Sequence, residues 1–474
     1  MSIRLEKDSM GEMAVPETAL YGASTQRAIL NFPVSGRPVP VPVVHAYGII
    51  KWAAAQVHHY LGLLPELQTD LISKAALEVA EGKLDGHFGV DVYQTGSGTS
   101  TNMNVNEVIA NRACQLAGKP VGAKDPVHPN DHVNMGQSSN DTFPTALHVA
   151  VALELTRRLI PALESLQAAL SRKREKFWDV LKIGRTHLMD ATPVRLGQEF
   201  GGYARQVELG VARARKAVEA LEELPLGGTA VGTGLNSHPE FPARAIALIG
   251  EKTGIPFREA QDHFEAQSAK DGLVETSGLL KTIATSLFKV ANDIRWLGSG
   301  PQCAIGEISL PATQPGSSIM PGKVNPVMCE SLMQVCARVF GNDATVTWCA
   351  ASGNFELNVM MPALGTALLE SIDLLANAVR LFDERCIQGL EARPERCQGF
   401  IEQSLALITG LNSKIGYDKA AAIAKESART GTPVRQLCLQ RLEELGLSET
   451  ELNEALDPAR MCAPDAGMVG AGGG

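Results

Sequence analysis

A mainly α-helical fold built around a long central helix bundle is the class that the sequence predicts, and three observations predict it. Leu273, Leu280, Leu287 and Ile294 recur every seven positions, with Ile283, Val290 and Leu297 in the adjoining row. A seam of this kind packs against helices that run nearly parallel or antiparallel to it. Residues 145–155 are apolar all round apart from His148 and Glu154. That is the pattern of a helix enclosed by others, with cover expected from other subunits because a lone chain would hardly supply it. From Asp141 onward the helical pattern persists for about 250 residues.

Taken in order, residues 1–138 mix turns, short helices and a few possible strands, and prolines at 16, 33, 38, 40 and 42 are expected to interrupt any long helix. They read as an N-terminal cap domain. Gly86-His87-Phe88-Gly89-Val90-Asp91-Val92-Tyr93 is extended in character and leads into Thr95-Gly96-Ser97-Gly98-Thr99, ahead of a helical pattern over 107–116. Residues 139–388 form the central helical bundle domain. Pro362 lies inside its helical stretch 330–381, which predicts a kink or break and a bend in the bundle there. Glu391-Ala392-Arg393-Pro394 marks the entry to a small C-terminal helical domain, 389–474, with two or three short helices in 417–456 and a disordered tail from 463.

A chain of 474 residues that is 45% hydrophobic can bury a large core. A net charge of −9 argues against a general nucleic-acid surface while permitting a locally basic pocket. No apolar run reaches the ~18 residues of a membrane span. The N-terminus lacks the pattern of a secretory or organellar leader, and nine scattered cysteines without a C-x-x-C pair fit a reducing compartment. A cytoplasmic protein is expected. Neither H-E-x-x-H nor a cysteine ladder appears, and the glycines of 96–98 and 227–234 miss the dinucleotide spacing. No metal and no cofactor are expected.

The segment Gly316-Ser317-Ser318-Ile319-Met320-Pro321-Gly322-Lys323-Val324-Asn325-Pro326 joins a hydroxyl pair and a lysine through glycine and proline hinges. Its backbone can approach a ligand closely, and Lys323 with Asn325 supplies donors suited to a carboxylate. A phosphate P-loop fits worse, because Val324 stands where Ser or Thr is required. Ser138-Ser139-Asn140-Asp141 stands at a helix start, so its amides and the helix dipole can face an anion.

These segments, together with Asn102-Met103-Asn104, His128-Pro129-Asn130-Asp131, Gly184-Arg185-Thr186-His187 and the glycine-rich run 227–234, occur in the order found in the fumarase/aspartase superfamily. The chain resembles that family from about residue 8 to about residue 458. The resemblance is nearest to the metal-independent fumarases and implies a three-domain fumarase/aspartase-like fold. It also implies a homotetramer with active sites shared between subunits, and reversible hydration of fumarate to malate through an aci-carboxylate.

By the same resemblance Ser317 is the base that takes the carbon-bound proton, His187 the acid that assists the departing hydroxyl, and Glu330 the charge partner of His187. A serine base needs its oxyanion favoured by nearby amides and Lys323, whereas a histidine titrates in a range that suits acid catalysis. Substrate contacts are implied for Ser97, Gly98, Thr99, Ser138, Ser139, Asn140, Thr186, Ser318, Lys323, Val324 and Asn325. His128, Pro129, Asn130 and Asp131 match a second, non-catalytic anion site. The acid Asp125 beside it, where relatives carry a base, weakens the expectation of tight dicarboxylate binding there. Two other readings stay open on sequence alone: an aspartate ammonia-lyase on the same scaffold, and a catalytically silent structural homologue.

Overall fold

The computed structural model describes residues 2–464, so the part of the expected tail from 465 on lies outside the described residues. Helices dominate, and all sheets among the described residues are two-stranded. The chain divides into two compact units. One comprises Met1–Pro161, Gly210–Thr285 and Val335–Asn377, the other Ala162–Leu209, Ser286–Gln334 and Ala378–Gly474.

In the first unit a hairpin of Ile3–Asp8 and Gly11–Pro16 is followed by three substantial helices, Val41–Tyr60, Glu66–Ala80 and Thr99–Leu116. The prolines therefore do not break up this region as expected. Pro40 is the N-cap of the first of these helices and Pro42 lies in its opening turn, where a missing N–H has no intrahelical partner to lose. Val41–Tyr60 and Glu66–Ala80 meet at backbone distance, since a Cβ on Gly48 would lie 2.5 Å from the Ala80 nitrogen. Residues 86–93 are not a strand: Asp85–His87 is a 3-10 turn, and pairing is limited to one bridge between Pro38 and Asp91. The helix expected over 107–116 begins earlier, at Thr99.

Ser139–Glu154 packs against Val41–Tyr60. Residues 145–153 and Leu155 are buried apart from His148, whose Nδ1 lies 2.9 Å from the Glu223 carbonyl and 3.2 Å from that of Leu221. The expectation that a single chain could not cover this helix is therefore wrong. Composition shows that a helix is enclosed and cannot show whose residues enclose it. A widened turn, Leu155–Leu159, precedes Pro161 at the start of Ile160–Lys176, which accommodates the proline's missing donor without ending the helical path.

The leucine seam is borne out. Asp271–Leu297 is one 27-residue helix in which Leu273, Leu280, Leu287 and Ile294 are all buried. At Pro362 the helical stretch breaks rather than bends. Val327–Ala350 ends, a small hairpin of Gly353–Asn354 and Leu357–Asn358 intervenes, and Met361–Phe382 starts with Pro362 in its first turn.

In the second unit a hairpin of Leu181–Thr186 and Met189–Arg195 packs on Pro394–Gln403. The C-terminal part contains four short helices between 417 and 456, one more than the upper expectation. They enclose a core that includes Leu407, Leu411, Ile423, Leu437 and Leu452. Among the described residues, no helix is long and apolar enough to cross a membrane.

Candidate functional site

Ser138 caps Ser139–Glu154 by a reciprocal arrangement. Its hydroxyl accepts from the Asn140 N–H at 3.2 Å, and Asp141 Oδ1 accepts from the Ser138 N–H at 2.9 Å. The other oxygen of Asp141 accepts the N–H groups of Gly227 and Thr229 at 2.9 and 3.1 Å, while Asn140 Nδ2 donates to the Ala230 carbonyl at 2.8 Å. The glycine-rich turn is thereby tied to the helix start. Burial pushes the Asp141 carboxyl up, against the pull of these N–H groups and of Lys51.

The 95–99 turn joins the same cluster. Ser97 Oγ and Thr99 Oγ1 share a hydrogen bond of 2.8 Å, and Thr99 Oγ1 shares another of 2.6 Å with Ser139 Oγ. Gly98 is the N-cap of Thr99–Leu116 at φ 75°, and a Cβ there would run into the Phe143 ring. Ser97, Gly98, Thr99, Ser138, Ser139 and Asn140 thus form one connected group.

The sequence reading missed a buried lysine that reaches Gln137, the residue before Ser138. Lys51 is fully buried, and its Nζ donates to Asn134 Oδ1 and Gln137 Oε1, both at 3.0 Å. A single lysine within the otherwise uncharged stretch 43–57 was the available signal.

His128 opens the turn Pro129–Val133, and its Nδ1 accepts from the N–H groups of Asn130 and Asp131 at 3.3 and 3.2 Å. His128, Pro129 and Asn130 line a cleft of about 390 Å³ together with Lys7 and Lys124. Asp131 does not line it. Asp125 reaches toward Lys119 at 3.6 Å, an exposed pair of little energetic weight.

In the second unit, residues 316–326 are an exposed loop with internal order. The Gly316 N–H donates to the Lys323 carbonyl at 2.8 Å, and Asn325 Nδ2 donates back to the Gly316 carbonyl at 2.8 Å. Ser317 Oγ accepts from the N–H groups of Ile319 and Met320 at 3.2 and 3.1 Å. Ser318, Lys323 and Val324 are exposed, and no described residue hydrogen-bonds to the Lys323 ammonium.

Thr186 and His187 occupy the tip of the Leu181–Thr186 and Met189–Arg195 hairpin, where Thr186 pairs with Met189. His187 and Leu188, the two turn residues, have φ of 55° and 62°. Asn and Gly are the residues that adopt this turn without strain, so the chain places an exposed histidine here at a local conformational cost. Glu330 lies in the first turn of Val327–Ala350. Among the described residues of the second unit, no hydrogen bond or ion pair joins His187 to Glu330 or to the 316–326 loop.

A further group missed from sequence anchors that hairpin. Arg185 holds Glu307 by two parallel bonds of 2.9 Å, and Lys182 reaches Glu199 at 2.8 Å and Glu307 at 3.2 Å. Among the described residues, no group of three or more His, Cys, Asp or Glu side chains is placed to hold a metal ion.

The lyase family profile matches residues 11–341 of this chain, and that of the fumarase C C-terminus matches residues 407–463. The class II fumarate hydratase of Neisseria meningitidis is 51% identical over 98% of this chain and 100% of its own length. That of Thermus thermophilus is 49% identical, again over 98% of this chain and all of its own. The crystal structure of a class II fumarase from Schistosoma mansoni superposes with a TM-score of 0.93 at 38% identity, covering 97% of this chain and 99% of that one.

Proposed function

This chain belongs to the fumarase-containing lyase family, and we propose that it interconverts fumarate and (S)-malate by anti addition and elimination of water. The observation that carries the reading is the near-complete, colinear likeness to fumarate hydratases at about half identity, extending through both ends of the matched region. The catalytic assignment is supported by the geometry of Ser317, whose oxygen already accepts two backbone N–H groups. Donors fixed in that way favour an oxyanion over a hydroxyl.

In the dehydration direction, Ser317 as alkoxide takes the proton from C3 of malate, and the electron pair moves onto the adjacent carboxylate as an aci-carboxylate. Lys323 and Asn325 hold that carboxylate. The pair then returns to form the C2–C3 double bond as the C2–O bond breaks, and His187 gives its proton to the leaving hydroxide, releasing water. Hydration is the reverse. Ser97, Gly98, Thr99, Ser138, Ser139, Asn140, Thr186, Ser318 and Val324 complete the dicarboxylate contacts, Glu330 partners His187, and His128 to Asp131 form a second anion site.

The same reading includes a homotetramer with sites assembled from different subunits and a three-part chain divided near 138 and 388. Assembly is supported by large apolar side chains left uncovered on one stretch of chain, among them Trp348 at 77% and Phe355 at 92% exposure. A reducing, cytoplasmic setting is supported by nine cysteines that are all free.

The test is ultraviolet absorbance of the purified protein with fumarate, malate or aspartate supplied singly. Fumarate should be consumed, malate should generate absorbance and aspartate should give no change; a response to aspartate alone would reassign the chain as an ammonia-lyase. In His187→Asn, malate dehydration should slow by about 10²-fold, and the basic limb of its pH profile should be lost, because an acid catalyst must be protonated to act. An unchanged profile would remove His187 from that role.

A further inference from the structure

Lys51 is a buried cation without a carboxylate in contact. Its ammonium sits against two neutral amide oxygens, and it forms no ion pair with any described residue. Those amides are themselves fixed. Asn134 Oδ1 also accepts from Asn102 Nδ2 at 3.2 Å, Asn134 Nδ2 donates to the Gln137 carbonyl at 3.1 Å, and Gln137 Nε2 donates to the Val133 and Met135 carbonyls, each at 3.1 Å. Residues 134–137 are thus folded around the lysine, and the next residue is Ser138.

An apolar side chain of similar volume would be cheaper in this position than a desolvated ammonium. Packing therefore does not explain the lysine. Gln137 is followed by Ser138, which caps the start of Ser139–Glu154, so the helix dipole presents positive potential near that start, offset in part by the Asp141 carboxylate bound across it. A second positive centre behind that helix start adds to its field and is felt strongly in a low-dielectric interior.

We propose that Lys51 is the positioning and charge-supplying residue behind the dicarboxylate site at residues 138–140, coupling substrate binding to protonation of its own amine. This rests on the fumarate-hydratase reading. Burial, opposed in part by Asp141, holds the Lys51 amine down to about 7. The groups that face it are few. Tyr47 and His58 come from its own helix, and Asp141 from Ser139–Glu154; Asn102, Asn134 and Gln137 are neutral. Burial pushes the Tyr47 phenol up, so it stays protonated. Burial, with Lys51 and His238 adding, brings His58 down to about 4, so it stays neutral above that pH. A dianion bound at 138–140 favours the ammonium, so binding near neutrality draws in a proton. Affinity then falls as pH rises through the region where the free amine deprotonates.

Titration calorimetry with succinate, a saturated dicarboxylate that cannot react, tests this at pH 6.5 to 8.5 in buffers of differing ionisation enthalpy. The intact protein should take up a proton on binding, and Kd should weaken by about tenfold across the range. Lys51→Arg, whose guanidinium stays charged throughout this range, should bind without the part of the proton uptake and of the slope that the amine supplies. Lys51→Met should bind weakly at every pH with no proton uptake. Binding by Lys51→Met that matches the intact protein, in strength or slope, overturns the proposal. Should Lys51→Met fail to fold, flat succinate binding by the intact protein, with no proton uptake, overturns it equally. Protein inert to fumarate and malate would instead remove the hydratase reading, so the two failures are distinct.

Discussion

Ser317→Ala should lower kcat in both directions by about 10³-fold, with KM for fumarate within a factor of two or three, since a positioned base typically contributes 10²–10⁴. The fold should not notice. The hydroxyl lies in an exposed loop whose shape is also held by the bonds between Gly316, Lys323 and Asn325. Two N–H groups that lose Ser317 Oγ as acceptor can turn to water, because the loop is open. Melting temperature and oligomer mass by light scattering should therefore match the parent. A variant with parental turnover would return Ser317 to the role of a turn-capping hydroxyl, the alternative that its two local hydrogen bonds also satisfy. A variant that loses turnover together with its oligomeric state would point to the loop's fold rather than to the oxygen.

The features that could be read from sequence are those whose causes are local. The buried seam from Leu273 to Ile294 follows from a repeat within one helix. The helix start at Ser138 follows from a cap written in four consecutive residues. The internal order of the 316–326 loop follows from its own glycines, prolines and amide. Features with distant causes were not legible. Lys51 meets Asn134 across 83 residues and Arg185 meets Glu307 across 122, and no local pattern announces such partners. Prolines 40 and 42 mislead because their sign depends on position: inside a helix they remove a bond, while at its first turn they remove nothing. The turn at His187 and Leu188 was equally hidden, since neither residue favours the positive φ that the hairpin imposes on it. That mismatch is informative once seen, because conformational cost tends to be retained where a side chain must be presented in one place.

Glu307→Gln should destabilise the protein by about 3–5 kcal/mol, more than any single change in the exposed loops, because it breaks a buried ion cluster and leaves cations uncompensated. The Glu307 side chain has no solvent exposure, and that of Lys182 has 1%. Arg185 and Lys182 share Glu307, and Lys182 also holds Glu199. Two cations balance two carboxylates, so removing one carboxylate leaves a net positive charge with little water to screen it. Burial raises the Glu199 carboxyl, with Lys182 opposing, so Glu199 is itself a reluctant anion and a poor substitute for the missing partner. Removing a cation as well should undo part of the damage: Lys182→Met combined with Glu307→Gln is expected to be more stable than Glu307→Gln alone, a non-additivity that urea denaturation can read directly. Catalysis should fall too, even at temperatures where the variant stays folded. Arg185 stands two residues before His187, and its bidentate grip on Glu307 fixes the strand that carries the turn. Loosening that strand displaces the proposed acid without touching the substrate, and displacements of about 1 Å at a reacting group can cost 10²-fold in rate. A Glu307→Gln protein with parental stability would mean that the two cations find other partners, and the cluster would then have no claim to hold the hairpin in place.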